Sequence, residues 1–428
     1  MRRAFAALAS IAALILTAGF AAPSALDQAA EAYVKLVLRV AQHDKDYLDA
    51  WFGPEAWMAQ AKADPRSVEQ LRADASDLAG RLANMDAAPL SGPDRARRAF
   101  LLSQLGAVSV KTGIMLGSRP RYREEAEGLY GVRPELKPVS AFDPALAEVE
   151  RLIPGDGALH QRVSAYRARF AVPKDRLEAV VRAAVAECRR RTAEHIPLPA
   201  GEGVSIEMVS GKPWAAYNWY KGGGRSLIQV NTDYPLQVER VLELGCHEAY
   251  PGHHLHNTLL DRRLVRERGW VEFQVYPLAT PFFFLAEGIG DYVPELVFPP
   301  AERVAFAREI LFPLAGLDPA EADRYFALSR AAKRLSGASM TITADYVDGG
   351  IDREAAVRLT QKYALLSRQQ AEASVDLMPK FRSYGVNYGL GRELVRAHVE
   401  RAGPDPAARW RALERLLSEP VVPADLWR

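Results

Sequence analysis

Residues 246–256 have the sequence Cys246-His247-Glu248-Ala249-Tyr250-Pro251-Gly252-His253-His254-Leu255-His256, and this stretch determines how the chain must be organised. Four of the protein's eight histidines lie within it. Imidazole is the commonest transition-metal ligand in proteins, so this density predicts a metal site. The nearest template is His-Glu-x-x-His, in which two histidines one helical turn apart hold zinc and the glutamate is the general base.

The stretch departs from that template at its fourth position after His247, where Pro251 stands in place of a second ligand. On a straight helix His253 would lie about 9 Å along the axis from His247, and His254 about 10.5 Å. Neither spacing lets two nitrogens reach one zinc at about 2.0–2.1 Å. Pro251 cannot donate a helical hydrogen bond, and Gly252 tolerates unusual backbone angles. We therefore predict a broken or bulged turn, with His247 and His253 as ligands and His254 as the rival for the second place.

The segment before the motif predicts a helix that is buried on one side. Asp233 is a plausible cap and Pro235 suits the first helical position. An apolar stripe then follows at helical spacing. His247 and Glu248 lie beyond the edge of this stripe, so both are expected to face a cleft. The residues of the stripe are Val238, Val241, Leu242, Gly245, Cys246 and Ala249.

Glu287 is the best candidate for a third ligand, because a catalytic zinc needs about three protein ligands. It lies in the middle of an apolar helical pattern, residues 282–292, where a carboxylate is costly to bury unless a cation pairs with it. Asp291, one turn later, could orient a ligand. The alternative is that Glu287 lies at a surface edge.

Short strands are predicted just before the metal-binding helix. Residues 204–209 alternate as a strand does, residues 226–230 form a second candidate, and residues 213–220 are rich in aromatics. Such strands would offer an edge with which an extended peptide could pair. The glycines at 222–224 fit a hairpin turn.

The rest of the chain has mainly helical patterns. We predict a mainly α fold with a small β-sheet beside the metal-binding helix. The predicted parts are a signal peptide at 1–25, an N-terminal helical region at 26–200 and a metal-site-bearing catalytic region at 201–428, which we expect to form one integrated catalytic domain with the preceding part. The aromatic-rich residues 46–55 are interpreted as the end of a helix, closed by Gly53-Pro54, with their rings in the core.

Residues 381–392 contain groups suited to catalysis beside a metal. Tyr384 and Tyr388 could donate to a developing oxyanion, and Arg382 could hold a substrate carboxylate. His254, if not a ligand, could also contact substrate. Tight helix packing explains the two tyrosines equally well, and a surface charge is the alternative for Arg382.

Composition limits the possible partners and the compartment. The chain has 428 residues, a net charge of +2, 49% hydrophobic and 25% charged residues, as in an ordinary globular protein. That charge gives no reason to expect nucleic acid or an anionic membrane. The basic start and the apolar run 4–22 predict a secretory signal rather than a lasting membrane anchor, and hence a periplasmic or secreted protein. Cys188 and Cys246 could pair there, or Cys246 could be a buried thiol.

The motif His-Glu-Ala-Tyr-Pro-Gly-His-His at 247–254 resembles the signature of the bacterial family known as domain of unknown function 885, which is similar to helical zinc metallopeptidases. Glu287-Gly288, Arg382-Ser383-Tyr384 with Asn387-Tyr388, and residues 46–54 are also similar to that family. The resemblance implies a gluzincin-like fold, zinc at His247, His253 and Glu287, and Glu248 as the base. Ile289 stands where many members have tryptophan, which would reshape the substrate pocket but removes no ligand.

Together these features predict a secreted zinc-dependent peptidase acting on peptide substrates, with Glu248 as general base. Two alternatives stay open. One is a metal-dependent hydrolase of a non-peptide amide or ester, and the other is a metal-binding protein without catalysis. A storage site would not require Glu248 beside its ligand, which favours catalysis.

Overall fold

The structure is a computed structural model that describes residues 23–427. The predicted signal peptide lies outside the described residues except for its last three. Of these, Ser24 caps the first helix and Ala25 begins it. Within residues 23–427, no helix combines the length and the apolar character needed to cross a membrane.

Helices dominate the described chain, which confirms the predicted mainly α fold. Many begin at a serine, threonine or aspartate whose side chain accepts a hydrogen bond from the first turn, as capping predicts. The helices are α1 (Ala25–Val40), α2 (Glu55–Ala63), α3 (Val68–Ala83), α4 (Gly92–Met115), α5 (Tyr122–Tyr130), α6 (Asp143–Leu152), α7 (Leu159–Ala168), α8 (Lys174–Ala193), α9 (Val238–Leu244), α10 (His253–Leu260), α11 (Pro281–Val297), α12 (Pro300–Phe306), α13 (Phe312–Ala315), α14 (Ala322–Lys333), α15 (Ser336–Val347), α16 (Arg353–Ala364), α17 (Arg368–Phe381), α18 (Gly389–Glu400) and α19 (Pro406–Leu416).

Two small sheets accompany the helices. The strands are β1 (Leu48–Trp51), β2 (Gly203–Val209), β3 (Ala216–Tyr220), β4 (Arg225–Asn231) and β5 (Val275–Pro277). β2, β4 and β3 form one sheet in that order, with β2 parallel and β3 antiparallel to β4. This confirms both predicted strands and places β3 at an edge of the sheet.

The prediction of a helix end at residues 46–55 is wrong. This segment contains β1, which pairs antiparallel with β5 in the second sheet, with Leu48 opposite Pro277. The partner strand is far away in sequence, so local periodicity gave no sign of it. The Gly53-Pro54 pair does mark a boundary, because α2 begins at Glu55.

Buried apolar side chains form two cores. One core lies among α1, α3 and α4 and includes side chains from residues 260–282. The larger core takes in α5, α7 and α8 together with most of the chain after β2. The helices from α5 to α8 therefore pack with the part of the chain after residue 200.

The helix that leads to the motif starts later than predicted. α9 begins at Val238, after Gln237, and not near Pro235. The carboxylate of Asp233 instead accepts a hydrogen bond from the backbone N–H of Gly211 at 2.6 Å, so it closes a neighbouring loop. The predicted stripe is buried as expected from Val238 to Ala249.

Candidate metal centre

The helix breaks within the motif, as predicted. After α9 the chain forms one wide π-helical turn, Gly245–Ala249, and leaves helical geometry at Tyr250. The Tyr250–Pro251 peptide bond is cis, and α10 starts at His253. A Cβ on Gly252 would lie 1.9 Å from the carbonyl oxygen of His247, so only glycine fits where the chain folds back.

This break brings three predicted ligands together. Ligand atoms of His247, His253 and Glu287 all lie within 4.8 Å of one another. His247 Nε2 is 3.7 Å from Glu287 Oε2, and His253 Nε2 is 3.3 Å from Glu287 Oε1. A tetrahedral zinc at about 2.0–2.1 Å from each ligand requires ligand atoms roughly 3.3 Å apart. The separations therefore fit a metal ion of that size.

The burial and charge of these groups also fit a metal centre. Glu287 is 8% exposed and His247 is 5% exposed. Burial by itself lowers the pKa of His253, but the hydrogen bond and charge of Glu287 raise it to about 9. Burial by itself raises the pKa of Glu287, whereas His253 and then His247 bring it below its usual value. Two imidazoles and one carboxylate are a known ligand set of catalytic zinc.

Residues of α11 hold the His247 ring in place. Asp291 Oδ1 lies 3.3 Å from His247 Nδ1, on the ring side opposite the nitrogen that faces Glu287. Gly290 packs against the same ring, because a Cβ there would lie 2.7–2.9 Å from three of its atoms. A carboxylate behind a ligand histidine fixes the ring orientation and raises its basicity. Asp291 therefore lies where the sequence predicted an orienting residue.

Glu248 lies beside these ligands and is 6% exposed. Within residues 23–427, no ion pair or side-chain hydrogen bond engages its carboxylate. Its backbone carbonyl accepts a hydrogen bond from Asn218 Nδ2 at 2.6 Å, which ties the π-helical turn to β3. The charge of Glu248 contributes to the raised pKa of His253, which places the carboxylate near the three ligand groups.

His254 does not fit the role in substrate binding predicted for it. It is fully buried, with Nδ1 2.9 Å from Ser226 Oγ and Nε2 2.8 Å from Glu202 Oε2. No substrate can reach a ring enclosed in this way. It is also absent from the ligand cluster, because neighbouring side chains on a helix point about 100° apart and His253 faces Glu287.

The two tyrosines lie near the candidate centre, whereas Arg382 does not fit its predicted role. Tyr384 and Tyr388 are linked by their hydroxyls at 3.3 Å. Burial and then the charge of Glu287 raise the pKa of both, that of Tyr384 to about 12. Arg382 Nε instead bonds Glu125 at 2.5 Å and its Nη2 bonds the Pro120 carbonyl at 2.7 Å, so its guanidinium anchors the 382–387 turn.

The sequence interpretation missed Asp49 and Tyr217. Asp49, in β1, accepts a hydrogen bond from the Tyr217 hydroxyl of β3. Burial raises the pKa of Asp49, the Tyr217 bond lowers it, and Glu287 and Glu248 raise it further, to about 6. The acid therefore lies within electrostatic reach of the metal-ligand cluster. No local signal in residues 46–55 marks this position.

The free edge of β3 runs beside the π-helical turn. Asn231 N–H donates to the Ala215 carbonyl and Lys221 N–H to the Arg225 carbonyl, which fixes the alternation along the β3–β4 ladder. By that alternation, the backbone groups of Ala216, Asn218 and Tyr220 point away from β4. No strand in residues 23–427 pairs with that side of β3.

Cys188 of α8 and Cys246 of the π-helical turn form a disulfide, with Cα atoms 5.4 Å apart. The sequence left this pairing open. Both cysteines are fully buried. The bond attaches the residue before His247 directly to the core helix α8.

Comparisons with known proteins reveal a shared fold. No protein-family model and no curated protein matches the chain. A candidate lipoprotein from Colwellia psychrerythraea has 16% sequence identity and a TM-score of 0.52, over 94% of this chain and 73% of that one. A candidate lipoprotein of unknown function from Shewanella oneidensis has 14% identity and a TM-score of 0.51, over 87% and 74%.

A third structure, M32 carboxypeptidase from Deinococcus radiodurans R1, aligns over 92% of this chain and 88% of its own. Its sequence identity is 13% and its TM-score is 0.43, which is too low to support any argument. The first two likenesses show the fold alone.

Proposed function

We propose that the protein is a secreted zinc-dependent peptidase of the family known as domain of unknown function 885. The observation that carries the proposal is the convergence of His247, His253 and Glu287, with Glu248 directly after the first ligand. The residue types fit zinc, and the adjacent carboxylate fits a hydrolytic reaction better than metal storage.

The balance of charge in the cleft supports a bound cation. Glu248, Glu287, Asp49 and Asp291 bring four carboxylates to the site or to its edge. Burying unpaired carboxylates is costly, and a dication offsets that cost. Burial raises the pKa of Asp49, and the charges of Glu287 and Glu248 add to that rise.

The residues of the chain can then be given roles. A zinc ion held by the three ligands would acidify water towards neutral pH and polarise a carbonyl group. Glu248 would accept a proton from the attacking water and pass it to the leaving amine. The hydroxyls of Tyr384 and Tyr388 stay protonated at neutral pH, so they can donate hydrogen bonds to the developing oxyanion.

The sheet supports a peptide as substrate. An extended peptide could pair with the free backbone groups of Ala216 and Asn218, in the manner of an added strand. Trp214, Tyr217 and Trp219 form a run of ring contacts along β3, with centroids 5.6 and 4.5 Å apart. These rings would offer apolar contacts to substrate side chains. Secretion is supported by the N-terminal sequence and by the Cys188–Cys246 disulfide.

The test is cleavage of a mixed peptide library by the mature protein, followed by mass spectrometry. Glu248→Gln should bind zinc normally and lose about 10²–10⁴-fold in turnover. Chelator should abolish cleavage, and zinc should restore it. Glu309→Gln, an exposed position on the surface, is the matched control and should behave as wild type.

Full activity in Glu248→Gln with zinc bound would show that this mechanism is wrong. A zinc-loaded protein that cleaves no peptide would favour the alternative of a non-peptide amide or ester. Bound zinc with no turnover on any amide or ester would leave a metal-binding protein.

A further inference from the structure

A buried polar network lies directly behind the turn that joins the two histidine ligands. Glu202, just before β2, is its centre, and its side chain is 1% exposed. Its Oε2 accepts hydrogen bonds from His254 Nε2 at 2.8 Å and from the Tyr250 hydroxyl at 2.5 Å. Its Oε1 accepts from Arg189 at 2.7 Å. Ser226 Oγ completes the network at 2.9 Å from His254 Nδ1.

The ionised carboxylate of Glu202 determines which groups of this network are hydrogen-bond donors. An ionised carboxylate can only accept, so His254 Nε2 and the Tyr250 hydroxyl must both donate to Glu202. A neutral His254 is then left with Nδ1 as an acceptor for the Ser226 hydroxyl. Every polar atom of His254 is satisfied, which is what a fully buried imidazole requires.

The set Ser226, His254 and Glu202 has the residue types of a nucleophilic triad, but it cannot act as one. Ser226 is 4% exposed and His254 is fully buried. A substrate carbonyl cannot approach the serine oxygen. The network therefore serves the structure around it and is not a second active site.

The Glu202 network holds the turn between His247 and His253. Tyr250 precedes Pro251-Gly252, and His254 follows His253, so one carboxylate is bonded to both sides of the break. The Tyr250 and His254 rings also pack edge to face, with centroids 4.9 Å apart. With His254 turned into the network, its neighbour His253 points towards Glu287.

We propose that Glu202 is a positioning residue of the metal centre, which holds both sides of the turn and thereby fixes where His253 lies relative to His247. The inference rests on the proposed function only in taking these two histidines as metal ligands. Residues behind a metal ligand commonly change metal affinity about 10–100-fold when they are replaced. Glu202 acts through the turn, so we expect the lower end of that range.

The test measures zinc affinity of the purified protein by competition with a chromophoric chelator, well below its melting temperature. Glu202→Gln should weaken zinc binding about tenfold and lower kcat with little change in KM. Glu207→Gln is the matched control, because Glu207 is an exposed acid on β2, the strand that follows Glu202, and within residues 23–427 its side chain is hydrogen-bonded to Gln229 alone. It should bind zinc as wild type does.

Two further variants keep the result interpretable if Glu202→Gln folds poorly. Tyr250→Phe removes one hydroxyl and keeps the ring, and should weaken zinc binding about threefold. Arg189→Met removes the charge partner of Glu202, whose side chain is 50% exposed and also lies over the Tyr250 ring, but it leaves the hydrogen bonds from Tyr250 and His254 to Glu202. It should change zinc affinity by less than twofold.

Wild-type zinc affinity in both Glu202→Gln and Tyr250→Phe would overturn the positioning role and leave the proposed function intact. An equal loss in Arg189→Met would also overturn it, because loss of the Arg189–Glu202 ion pair, and not of the bonds to the turn, would then explain the effect. Absence of zinc binding by the wild-type protein itself would refute the metal centre and this inference together.

Discussion

Two regions of the molecule border the candidate site, and they are held in different ways. The ligand region consists of the Gly245–Ala249 turn, α10 and α11. The N-terminal region consists of α1 to α4 with β1. The ligand region is fastened at several close points, by the Cys188–Cys246 disulfide and by the Glu202 network. The N-terminal region reaches the site through one short strand, which carries Asp49.

The N-terminal region is joined to the rest of the chain by packing and by a buried ion-pair cluster. Arg97 of α4 is 2% exposed and bonds the fully buried Glu272 through two nitrogens, at 2.6 and 3.0 Å. It also bonds Asp27 at 2.6 Å and lies over the Trp270 ring. The placement of the proposed metal ligands therefore depends on local anchors, whereas the placement of Asp49 depends on contacts between distant parts of the chain.

The largest expected effect is a loss of zinc affinity when a proposed ligand of the ligand region is replaced. Glu287→Gln should weaken zinc binding roughly a thousandfold, or about 4.2 kcal/mol, because three ligands share a binding free energy on the order of 10–16 kcal/mol. Zinc content after dialysis and chelator competition measure it. Stoichiometric zinc in this variant would show that Glu287 is not a ligand.

Breaking the Arg97 cluster should affect stability and leave the metal in place. Arg97→Met removes one partner of a buried ion pair, so the free energy of unfolding should fall by about 3–5 kcal/mol. Adding Glu272→Leu should recover most of the loss, because no buried charge then stays unpaired. Urea unfolding measures both variants, and zinc affinity should change less than threefold. A large loss of zinc affinity would mean that the two regions are coupled more tightly than proposed.

Removing the disulfide should weaken the ligand region by a smaller amount. The loop closed by Cys188 and Cys246 spans 58 residues. The variant Cys188→Ala with Cys246→Ala should lose about 2–4 kcal/mol of unfolding free energy under oxidising conditions. Under reducing conditions at equilibrium, wild type and variant should converge. Equal stability under oxidising conditions would contradict a structural role for the bond.

The smallest effect concerns Asp49 and depends on pH. Burial, with a smaller contribution from the charges of Glu287 and Glu248, raises the pKa of Asp49 to about 6 in the folded state, above its ordinary value near 3.8. Its contribution to stability is therefore complete below pH 3.8 and is lost as pH rises through 6. Asn at this position can still accept the Tyr217 hydrogen bond and carries no charge. Metal-free Asp49→Asn should thus gain stability relative to wild type between pH 4 and pH 7.

Urea midpoints at pH 4 and pH 7.5 with chelator present give the measurement. Zinc should reduce the difference, because a dication offsets the charge of Glu287 and Glu248. A wild-type advantage at pH 7.5 without metal would contradict the raised pKa of Asp49. Tyr217→Phe, which removes the partner hydroxyl, should move the stability in the opposite direction.

The sequence by itself determined the fold class, the strands at β2 and β4, the break at Pro251, and His247 and Glu287 as candidate metal ligands. Local patterns of residues predict each of these features. Periodicity reports which side of a helix is buried, proline removes a helical hydrogen bond, and a carboxylate in an apolar helix needs a partner. His247 and Glu287 could be named because His247 is directly followed by a glutamate and Glu287 is out of place among apolar neighbours.

Only the tertiary structure decided between His253 and His254 as the second candidate ligand. It also showed the disulfide and the ion pair between Arg382 and Glu125. The position of Asp49 beside the cleft was likewise visible only there. The wide π-helical turn changes the directions in which the side chains after it point. A pattern of residue types along the sequence does not show this change. β1 finds its partner β5 more than two hundred residues later, as the pairing of Leu48 with Pro277 shows. Contacts at such separations follow from how helices and strands pack together, and no local stretch of sequence records them.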